Sequence, residues 1–355
     1  MIDFQYNYPV LGSEGALLSA AVQKHVAESS AWVSQKAQAG TARHREVAAS
    51  FLAQWGAEVP ASRVFLCSGG HSSVSVALTL ASLEGATVAV DELSYPAFRQ
   101  TAANRGMKVM ACAGDEEGML PQALDDAARS QNVKAVYLTP TVHNPLGSVM
   151  PAGRRLALAN VIRQRGLWLI EDDAYRFLEP DAIAPIAWLV PERSFYVYSF
   201  TKPVALGLKV SYLVVPEGCA EGVEELISQA NSGTSVLFAE VLTSLVLDGS
   251  VRRLIAGKQA LGRERQELIA GALAGWKIRA HRNAFHCWIE LPRGIEARAF
   301  CAACEARGVL LGIGSRYGNG GADLARFVRL AVGSERSEER IREGLEIVKR
   351  VASSF

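Results

Sequence analysis

Short apolar runs alternate with helical patterns through the middle of the chain. In chain order the strand-like runs are RVFLCSGG, TVAVDE, KVMACAG, AVYLTP, LWLIEDD, SFYVYSF and VSYLVVP. Helical patterns such as PQALDDAARSQN and PAGRRLALANVIRQRG separate several of them. Strands that recur at this spacing predict a mainly parallel sheet with helices on both faces.

The two ends of the chain predict a second, smaller unit. The N-terminal part begins irregularly and continues into two helical patterns, and the C-terminal part follows a βαββα-like order from FHCWIEL to SEERIREGLEIVKRVA. We therefore predict an α/β protein with a large domain over residues 45–261. A smaller, discontinuous α+β domain would combine residues 1–44 and 262–355, and a long helical stretch near residues 235–265 would connect the two.

Composition narrows the classes of function. The 355 residues carry a formal net charge of +1, so no bulk attraction to nucleic acid or to an anionic membrane is expected. No apolar run approaches the roughly 20 residues that span a bilayer, and the start MIDFQYNYPV lacks the basic region of a signal peptide. Six scattered cysteines lack the spacing of a disulfide framework. We expect a cytoplasmic protein without nucleic-acid or membrane partners.

A lone C-x-x-C pair, Cys301 and Cys304, lies inside the helical pattern ARAFCAACEARG. Structural metal sites built on this spacing use a second pair of ligands, and the sequence offers no second C-x-x-C. We therefore interpret the two cysteines as packing residues and expect no metal site.

Polar residues that can perform chemistry follow four of the predicted strands. Ser68, Gly69 and Gly70 open a helix, where bare backbone N–H groups form an anion site. The other three groups are Asn144 in an N-P-x-G turn, the acids and Tyr175 of EDDAY, and Lys202 after FYVYSF. Ligands of open α/β sheets bind beyond the carboxyl ends of the strands, so these groups are expected to lie together.

Each of these signals has an ordinary alternative, since glycine turns and N-P-x-G turns are common in proteins of every class. Their combination is more specific. An amine can form a Schiff base with an aldehyde, and a helix N-terminus can hold that aldehyde's phosphate. A carboxylate can hold a pyridinium proton, while a tyrosine and an asparagine bond a phenolate oxygen. This set of groups predicts a pyridoxal 5′-phosphate site.

The motifs EDDAY, SFTK, NPLG and RFVRLAVG, in this order, make the chain resemble the fold-type-I pyridoxal-phosphate enzymes. The resemblance is to class I and II aminotransferases and to the aminotransferase-like domains of related bacterial regulators, and it covers the chain from roughly residue 40 onward. It implies that Lys202 carries the cofactor as a Schiff base and that Asp172 pairs with the pyridine nitrogen. Tyr175 and Asn144 would bond the cofactor's 3′-oxygen.

The resemblance also implies how the phosphate is held. Ser199 of SFTK would bind it together with Ser68, Gly69 and Gly70. Lys209 stands where the family usually has a phosphate-binding arginine. A lysine keeps the positive charge at this position but lacks the planar, forked guanidinium group of an arginine.

Two further roles concern the ring and the substrate. Tyr95 fits the aromatic that stacks on the cofactor ring, and Arg329 fits the arginine that grips the substrate α-carboxylate through a bidentate pair. Arg316 and Tyr317, on a glycine-rich loop, are candidates for substrate contact. Tyr6, Asn7 and Tyr8 begin the chain, where relatives place a loop over the site.

Two more departures from the family are visible. His71 and Ser72 replace other polar residues near the phosphate turn. The stretch SQKAQAGTARHRE lacks the tyrosine that many relatives extend to the phosphate of a partner subunit. Together with Lys209, these changes indicate a divergent branch of the family.

The expected function is transfer of an amino group between an α-amino acid and a 2-oxo acid in a homodimeric enzyme. Two enzymatic alternatives use the same residues: a C–S lyase, and an oxidase or cyclase acting on a basic amino acid. A remote alternative is the effector-binding module of a transcription regulator, which would carry a preceding winged helix. The roughly 40 residues before the resemblance are not basic, so an enzyme is the expectation. The substrate is left open.

Overall fold

The computed structural model describes residues 1–26, 37–56, 58–181, 183–319 and 323–355. The tyrosine-free stretch SQKAQAGTARHRE therefore lies partly outside the described residues, as does the end of the loop GIGSRYGNGG.

The helices and strands follow the predicted alternation. The strands in chain order are β1 (Ile2–Phe4), β2 (Val64–Cys67), β3 (Thr87–Asp91), β4 (Lys108–Cys112), β5 (Gly114–Asp115), β6 (Gly118–Met119), β7 (Val133–Leu138), β8 (Trp168–Asp172), β9 (Ser194–Ser199), β10 (Ser211–Val214), β11 (Lys277–Arg279), β12 (His286–Glu290), β13 (Val309–Ile313) and β14 (Phe327–Ala331). The helices are α1 (Glu14–Val26), α2 (Ala42–Leu52), α3 (Gly70–Leu80), α4 (Pro96–Ala103), α5 (Pro121–Ser130), α6 (Ala152–Arg165), α7 (Ile186–Leu189), α8 (Val223–Asn231), α9 (Val236–Leu247), α10 (Ser250–Ala272), α11 (Ala297–Glu305) and α12 (Glu338–Ala352).

Seven strands form the large sheet, in the order β2-β10-β9-β8-β7-β3-β4. Only β10 runs antiparallel to its neighbours, so the carboxyl ends of the other six strands share one edge. The strands are apolar without alternation because helices cover both faces. One core includes Leu52, Leu158 and Leu242, and the core on the opposite face includes Leu78 and Phe98. The predicted mainly parallel sheet is confirmed.

Five strands form the small sheet, in the order β1-β13-β14-β12-β11. The predicted βαββα order is present as β12, α11, β13, β14 and α12. The sequence patterns did not predict β1 and β11, which have three residues each and are too short to show a period.

The two cysteines of the C-x-x-C pair lie on α11 of this small unit. Cys304 is buried in its core, and Cys301 packs against the same core. Burial raises the pKa of Cys301 to about 11 and that of Cys304 to about 12. Among the residues that the structure describes, no cluster of His, Cys, Asp and Glu side chains could hold a metal ion.

Helix α1 lies with the large domain, whereas the predicted division placed residues 1–44 in the small one. Its residues Leu17 and Leu18 pack against the core of the large sheet, and α1 lies against α9. The reason is that the apolar side chains of α1 find their partners on the apolar helix α9. Only β1 of this N-terminal segment joins the small sheet, through parallel pairing with β13.

The predicted connector consists of two helices, α9 and α10, separated at Asp248 and Gly249. Helix α10 spans the predicted boundary at residue 261, so the position of that boundary stays a prediction. Over the described ranges, no helix is both long enough and apolar enough to cross a membrane.

Gly262 lets α10 approach the segment that leads into β12. A Cβ atom added at this position would lie 2.0 Å from the carbonyl oxygen of Asn283 and 2.7 Å from its carbonyl carbon. Both atoms belong to the backbone, so they cannot rotate away as a flexible side chain could. Gly271, in the last turn of the same helix, has nothing within 4 Å of the corresponding position.

We expect Gly262→Ala to lower the free energy of unfolding by about 1–3 kcal/mol, because the added methyl group overpacks a fixed contact. Gly271→Ala is the matched control, and it should be neutral or stabilising by about 0.5–1 kcal/mol, since alanine is the better helix former. Urea unfolding followed by tryptophan fluorescence measures both variants. Equal stability of the two variants would contradict the close approach at Gly262.

Candidate active site

A cavity of about 780 Å³ opens at the shared edge of the large sheet, next to the small sheet. Five of the residues expected at a functional site line it: Tyr95, Asn144, Tyr175, Lys202 and Arg329. Tyr6, Asn7, Tyr8, Arg316 and Tyr317 also line it. The structure therefore brings together residues from the two sheets and their loops that are far apart in the chain, such as Tyr6 and Arg329.

The three consecutive acids of EDDAY are separated by the alternation of strand β8. Glu171 is buried and accepts hydrogen bonds from the backbone N–H groups of Ile186 at 3.3 Å and Ala187 at 2.7 Å. A guanidinium nitrogen of Arg155 lies 3.6 Å from the same carboxylate. Asp173 is buried and accepts a hydrogen bond from the hydroxyl of Tyr196 at 3.0 Å. Neighbouring residues along a strand face opposite sides of the sheet. Asp172 therefore faces the side opposite to that of Glu171 and Asp173.

Asp172 is that middle acid, and its electrostatic partner is Lys202. Its Oδ2 accepts a hydrogen bond from the hydroxyl of Tyr137 at 2.8 Å. Its Oδ1 is buried and has no hydrogen-bond partner in the part of the chain that the structure describes. Burial raises the pKa of Asp172, against the opposing effects of Lys202 and Tyr137. A buried carboxylate oxygen without a donor is costly, so this atom is suited to a ligand N–H group.

Tyr137 was not among the predicted site residues. It lies on β7, and its ring stacks on Phe98 with centroids 3.8 Å apart. The sequence signal was a tyrosine in an apolar strand, where the phenol needs a hydrogen-bond partner. Only the neighbouring position of β7 and β8 in the sheet identifies that partner as Asp172.

Lys202 follows β9 and points its ammonium group at Tyr175. The Nζ atom lies 4.7 Å from the centroid of the Tyr175 ring. Burial lowers the pKa of Lys202, although the nearby Asp172 partly opposes that effect. A lowered pKa increases the fraction of neutral amine, which is the form that acts as nucleophile or base.

Tyr175 is oriented by a chain of hydrogen bonds that the sequence did not predict. Asn7 Nδ2 donates to the Tyr175 hydroxyl oxygen at 3.0 Å and lies 3.0 Å from Nδ1 of His286. His286 Nε2 lies 3.1 Å from the carbonyl oxygen of His143. This arrangement fits a neutral His286 that donates from Nε2 and accepts at Nδ1. Because Tyr175 accepts from Asn7, its own proton remains available to donate into the cavity.

Burial also lowers the pKa of His286, to about 3, and the charge of Arg329 adds to this effect. Protonation of Nδ1 would place a proton against the donor group of Asn7. His286 had no sequence motif that pointed to the site. Asn7 was only a candidate for the covering loop.

A candidate phosphate site lies where α3 begins. Gly69 precedes the helix with φ of 94°, and a Cβ atom at Gly70 would lie 3.2 Å from the Cβ of Ser199. The Ser199 hydroxyl is 3.0 Å from that of Thr201, and Ser68 donates to the carbonyl of Gly233 at 2.7 Å. Backbone N–H groups at the start of α3 therefore lie beside several hydroxyl groups.

Lys209 lies beside this helix start. Its Cβ is 3.9 Å from the position that a Cβ would occupy at Gly69. The side chain is exposed, and no carboxylate pairs with it among the described residues. A cation in this position can complement an anion at the helix N-terminus.

Tyr95 and His71 form one side of the site. Their rings are nearly parallel, with centroids 5.8 Å apart and 7° between the planes. The Tyr95 hydroxyl is 3.2 Å from His71 Nε2. Burial raises the pKa of Tyr95 well above its usual value, so the phenol stays protonated.

Arg329 lies on β14 and is only 5% exposed. It donates to Asn144 Oδ1 at 3.1 Å and to the carbonyl of Gln5, and its guanidinium carbon is 5.2 Å from the Tyr317 ring centroid. Its Nε has no hydrogen-bond partner within the described ranges. A buried guanidinium that binds only neutral oxygens can still take a carboxylate ligand.

The chain belongs to the aminotransferase class I and II family, whose match covers residues 2–348. This membership confirms the predicted family and fold. Pyridoxal 5′-phosphate is the cofactor that this family uses, and the unpartnered oxygen of Asp172, the amine of Lys202 and the helix start at Gly69 fit its three functional groups.

Curated relatives include both regulators and an enzyme. The chain is 24% identical over 307 residues to the uncharacterized HTH-type transcriptional regulator YdeF of Bacillus subtilis, covering 86% of this chain and 66% of that protein. It is 25% identical over 286 residues to a 2-aminoadipate transaminase of Thermus thermophilus, covering 78% and 72% of the two chains. The chain spans 57–66% of the length of the three regulators that it matches first.

Solved structures of aminotransferases share the fold. An archaeal alanine:glyoxylate aminotransferase matches with a TM-score of 0.89 at 20% identity, over 100% of this chain and 91% of that one. The α-aminoadipate aminotransferase LysN of Thermus thermophilus, in complex with N-(5′-phosphopyridoxyl)-L-leucine, matches with a TM-score of 0.87 at 22% identity, over 100% and 92%.

The contact between Tyr137 and Asp172 can be tested by removing one hydroxyl group. We expect Tyr137→Phe to weaken pyridoxal phosphate binding about tenfold, because a hydrogen bond to a charged group is worth about 1.5–3 kcal/mol. Titration of apoprotein with the cofactor gives the affinity. Tyr198→Phe is the matched control, since the buried Tyr198 hydroxyl has no hydrogen-bond partner among the described residues. Equal affinities in both variants would rule out a supporting role for Tyr137.

His286 should make folding stability depend on pH. Its pKa is lowered in the folded protein, so below about pH 6.5 the unfolded chain binds a proton that the folded chain does not. Stability is therefore lost as pH falls, by up to about 2 kcal/mol between pH 7 and pH 5 from this one group. Urea unfolding at both pH values should show a smaller loss for His286→Gln than for the wild type. Identical losses would mean that His286 titrates alike in both states.

Proposed function

We propose that the protein is a pyridoxal-phosphate-dependent aminotransferase that moves an amino group between an α-amino acid and a 2-oxo acid. The observation that carries this proposal is the pairing of Lys202, whose pKa is lowered by burial, with a buried carboxylate that keeps one oxygen unpartnered. The anchor for a substrate carboxylate, Arg329, lines the same cavity.

The chain's own residues suggest how the cofactor would be held. Asp172 Oδ1 would accept the pyridine N–H, while Tyr175 and Asn144 would bond the 3′-oxygen. The groups proposed for the phosphate are Ser68, Gly69, Gly70, Ser199 and Lys209, and Tyr95 would stack on the ring. When bound, the cofactor supplies an electron sink that stabilises negative charge at the substrate α-carbon.

Lys202 would have two tasks. Its Nζ atom would hold the cofactor through a covalent bond. As a free amine, the same atom would take the proton from the substrate α-carbon and hold it for return. Burial supports both tasks, because it favours the neutral amine.

Arg329 and Asp172 would set the geometry and the charge. Arg329 would bind the α-carboxylate, with its guanidinium held by Asn144 and Gln5. This fixes the α-carbon relative to Lys202. Asp172, held by Tyr137, would keep the pyridine nitrogen protonated, so that the ring withdraws electrons throughout the reaction.

We further propose a homodimer in the cytoplasm, with an amino acid and a 2-oxo acid as partners. The support for the homodimer is membership of the aminotransferase class I and II family. The formal charge of +1 gives no support to nucleic acid or an anionic membrane as partners.

A second candidate function is effector binding within a transcription regulator. The observation in its favour is that several relatives are HTH-type regulators of which the chain covers only part. The same residues would then bind the cofactor and an amino acid, and chemical turnover would not be required. Turnover therefore separates the two proposals.

We expect the protein loaded with pyridoxal phosphate to convert an amino acid into its 2-oxo acid while aminating a second 2-oxo acid in equal amount. Borohydride should fix the cofactor to the peptide that contains Lys202, as mass spectrometry would detect. Lys202→Ala should abolish both results, whereas Lys134→Ala, an exposed lysine on β7, should change neither. Ammonia or peroxide as a product would indicate a lyase or an oxidase. Binding without any turnover would support the regulator.

A further inference from the structure

The cavity is lined by basic residues without acidic ones. Lys202, Arg329, Arg99 and Arg316 line it, and no aspartate or glutamate does so within the described part of the chain. Lys202 has Asp172 nearby as its counter-charge. Under the proposed function Arg329 receives the α-carboxylate of the substrate. The proposed transamination then assigns no role to the two remaining cations, Arg99 and Arg316.

Arg99 is fixed against the loop that carries Arg316. Its two terminal nitrogens donate to the backbone carbonyls of Gly318 and Arg316. Neither arginine forms an ion pair with a carboxylate of the described residues. The positive charge of both groups is therefore not neutralised by the protein that surrounds them here.

Backbone hydrogen bonds also join the loop to the large domain, so the backbone that carries Arg316 is held in place. The N–H of Ser94 donates to the carbonyl of Tyr317 at 2.9 Å, and the N–H of Asn319 donates to the carbonyl of Glu92 at 2.9 Å. A side chain on a wall that is already ordered loses less entropy when it binds a ligand.

Arg316 and Arg329, the proposed anchor of the α-carboxylate, both come from the small unit and line the cavity. Tyr317, the next residue, has its ring 5.2 Å from the guanidinium carbon of Arg329 and is buried. Arg316 itself is exposed and lines the same cavity. A ligand bound to Arg329 through one carboxylate would lie in the same cavity that Tyr317 and Arg316 line. A volume of about 780 Å³ lies within the common range for small-molecule sites.

We propose that the site selects amino acids whose side chain bears a second carboxylate, with Arg316 as the residue that binds it and Arg99 as the residue that positions the Arg316 loop. This inference rests on the proposed function, because it assumes that Arg329 takes the α-carboxylate. An anionic side chain gains Coulomb attraction from the two cations, while a cationic one is repelled. The electrostatics of the cavity thus disfavour the oxidase or cyclase acting on a basic amino acid.

The test compares each dicarboxylic amino acid with its own amide. The wild type loaded with pyridoxal phosphate should show kcat/KM at least tenfold higher for glutamate than for glutamine, and for aspartate than for asparagine. Arg316→Gln should reduce these ratios at least fivefold while changing the value for the amides less than twofold. Arg298→Gln removes the same charge from an exposed position on α11 and is the matched control, which should leave the ratios unchanged.

A charge reversal makes the test sharper. Arg316→Glu should lower the ratio of glutamate to glutamine further and raise kcat/KM for ornithine. Arg99→Gln should reduce the same glutamate preference if Arg99 positions the loop, and the cofactor spectrum reports whether the site itself remains intact. Unchanged substrate preference in Arg316→Glu would overturn the inference.

A binding measurement separates this inference from the proposed function. Calorimetry of the loaded wild type should show glutarate binding at least tenfold more tightly than glutaramate, its monoamide, with the difference lost in Arg316→Gln. If this holds without turnover of any amino acid, the dicarboxylate site stands and the aminotransferase proposal fails. If neutral or basic amino acids are transaminated as well as glutamate, the aminotransferase stands and the inference is wrong.

Discussion

Buried negative charge at the end of one strand is the constraint on which the site depends. Three acids in succession lose their hydration at the end of β8, and each must recover the cost from a partner. Glu171 recovers it from backbone N–H groups and Arg155, and Asp173 recovers part of it from Tyr196. Asp172 and Asp173 each have one oxygen that accepts a hydrogen bond and one without a partner among the described residues. Asp172 is the one of the two whose charge acts on Lys202, so a donor bound beside Lys202 can satisfy its second oxygen.

The fold and the inner part of the site could be predicted because their signals are local. Apolar runs separated by helical patterns predicted the mainly parallel sheet, and the rule for such sheets placed the carboxyl ends of its parallel strands on one edge. Lys202, Tyr175 and Asn144 lie in the segments that follow β9, β8 and β7, so the shared edge brings them to one cavity. A short motif at the end of an apolar run therefore indicates both the strand and the edge of the sheet at which its polar residue lies.

The supporting contacts could not be predicted because they join distant segments. The bond between Tyr137 and Asp172 crosses 35 positions, and the bond between Asn7 and Tyr175 crosses 168. The contact between Asn7 and His286 crosses 279. The first requires the strand order of the large sheet, and the other two require the packing of the small sheet against the large one. The placement of α1 was mispredicted for the same reason, since its partner α9 is remote in the chain.

The two sheets divide the chemical work between them. The groups proposed for the cofactor all lie at one edge of the large sheet, whereas Arg329, Tyr317 and Arg316 come from the small unit. A lineage of such proteins could therefore drift toward new substrates by replacements in the small unit while inheriting its cofactor chemistry intact. Duplicated copies of one ancestral chain would diverge first in the loop of the small unit, which carries the exposed Arg316.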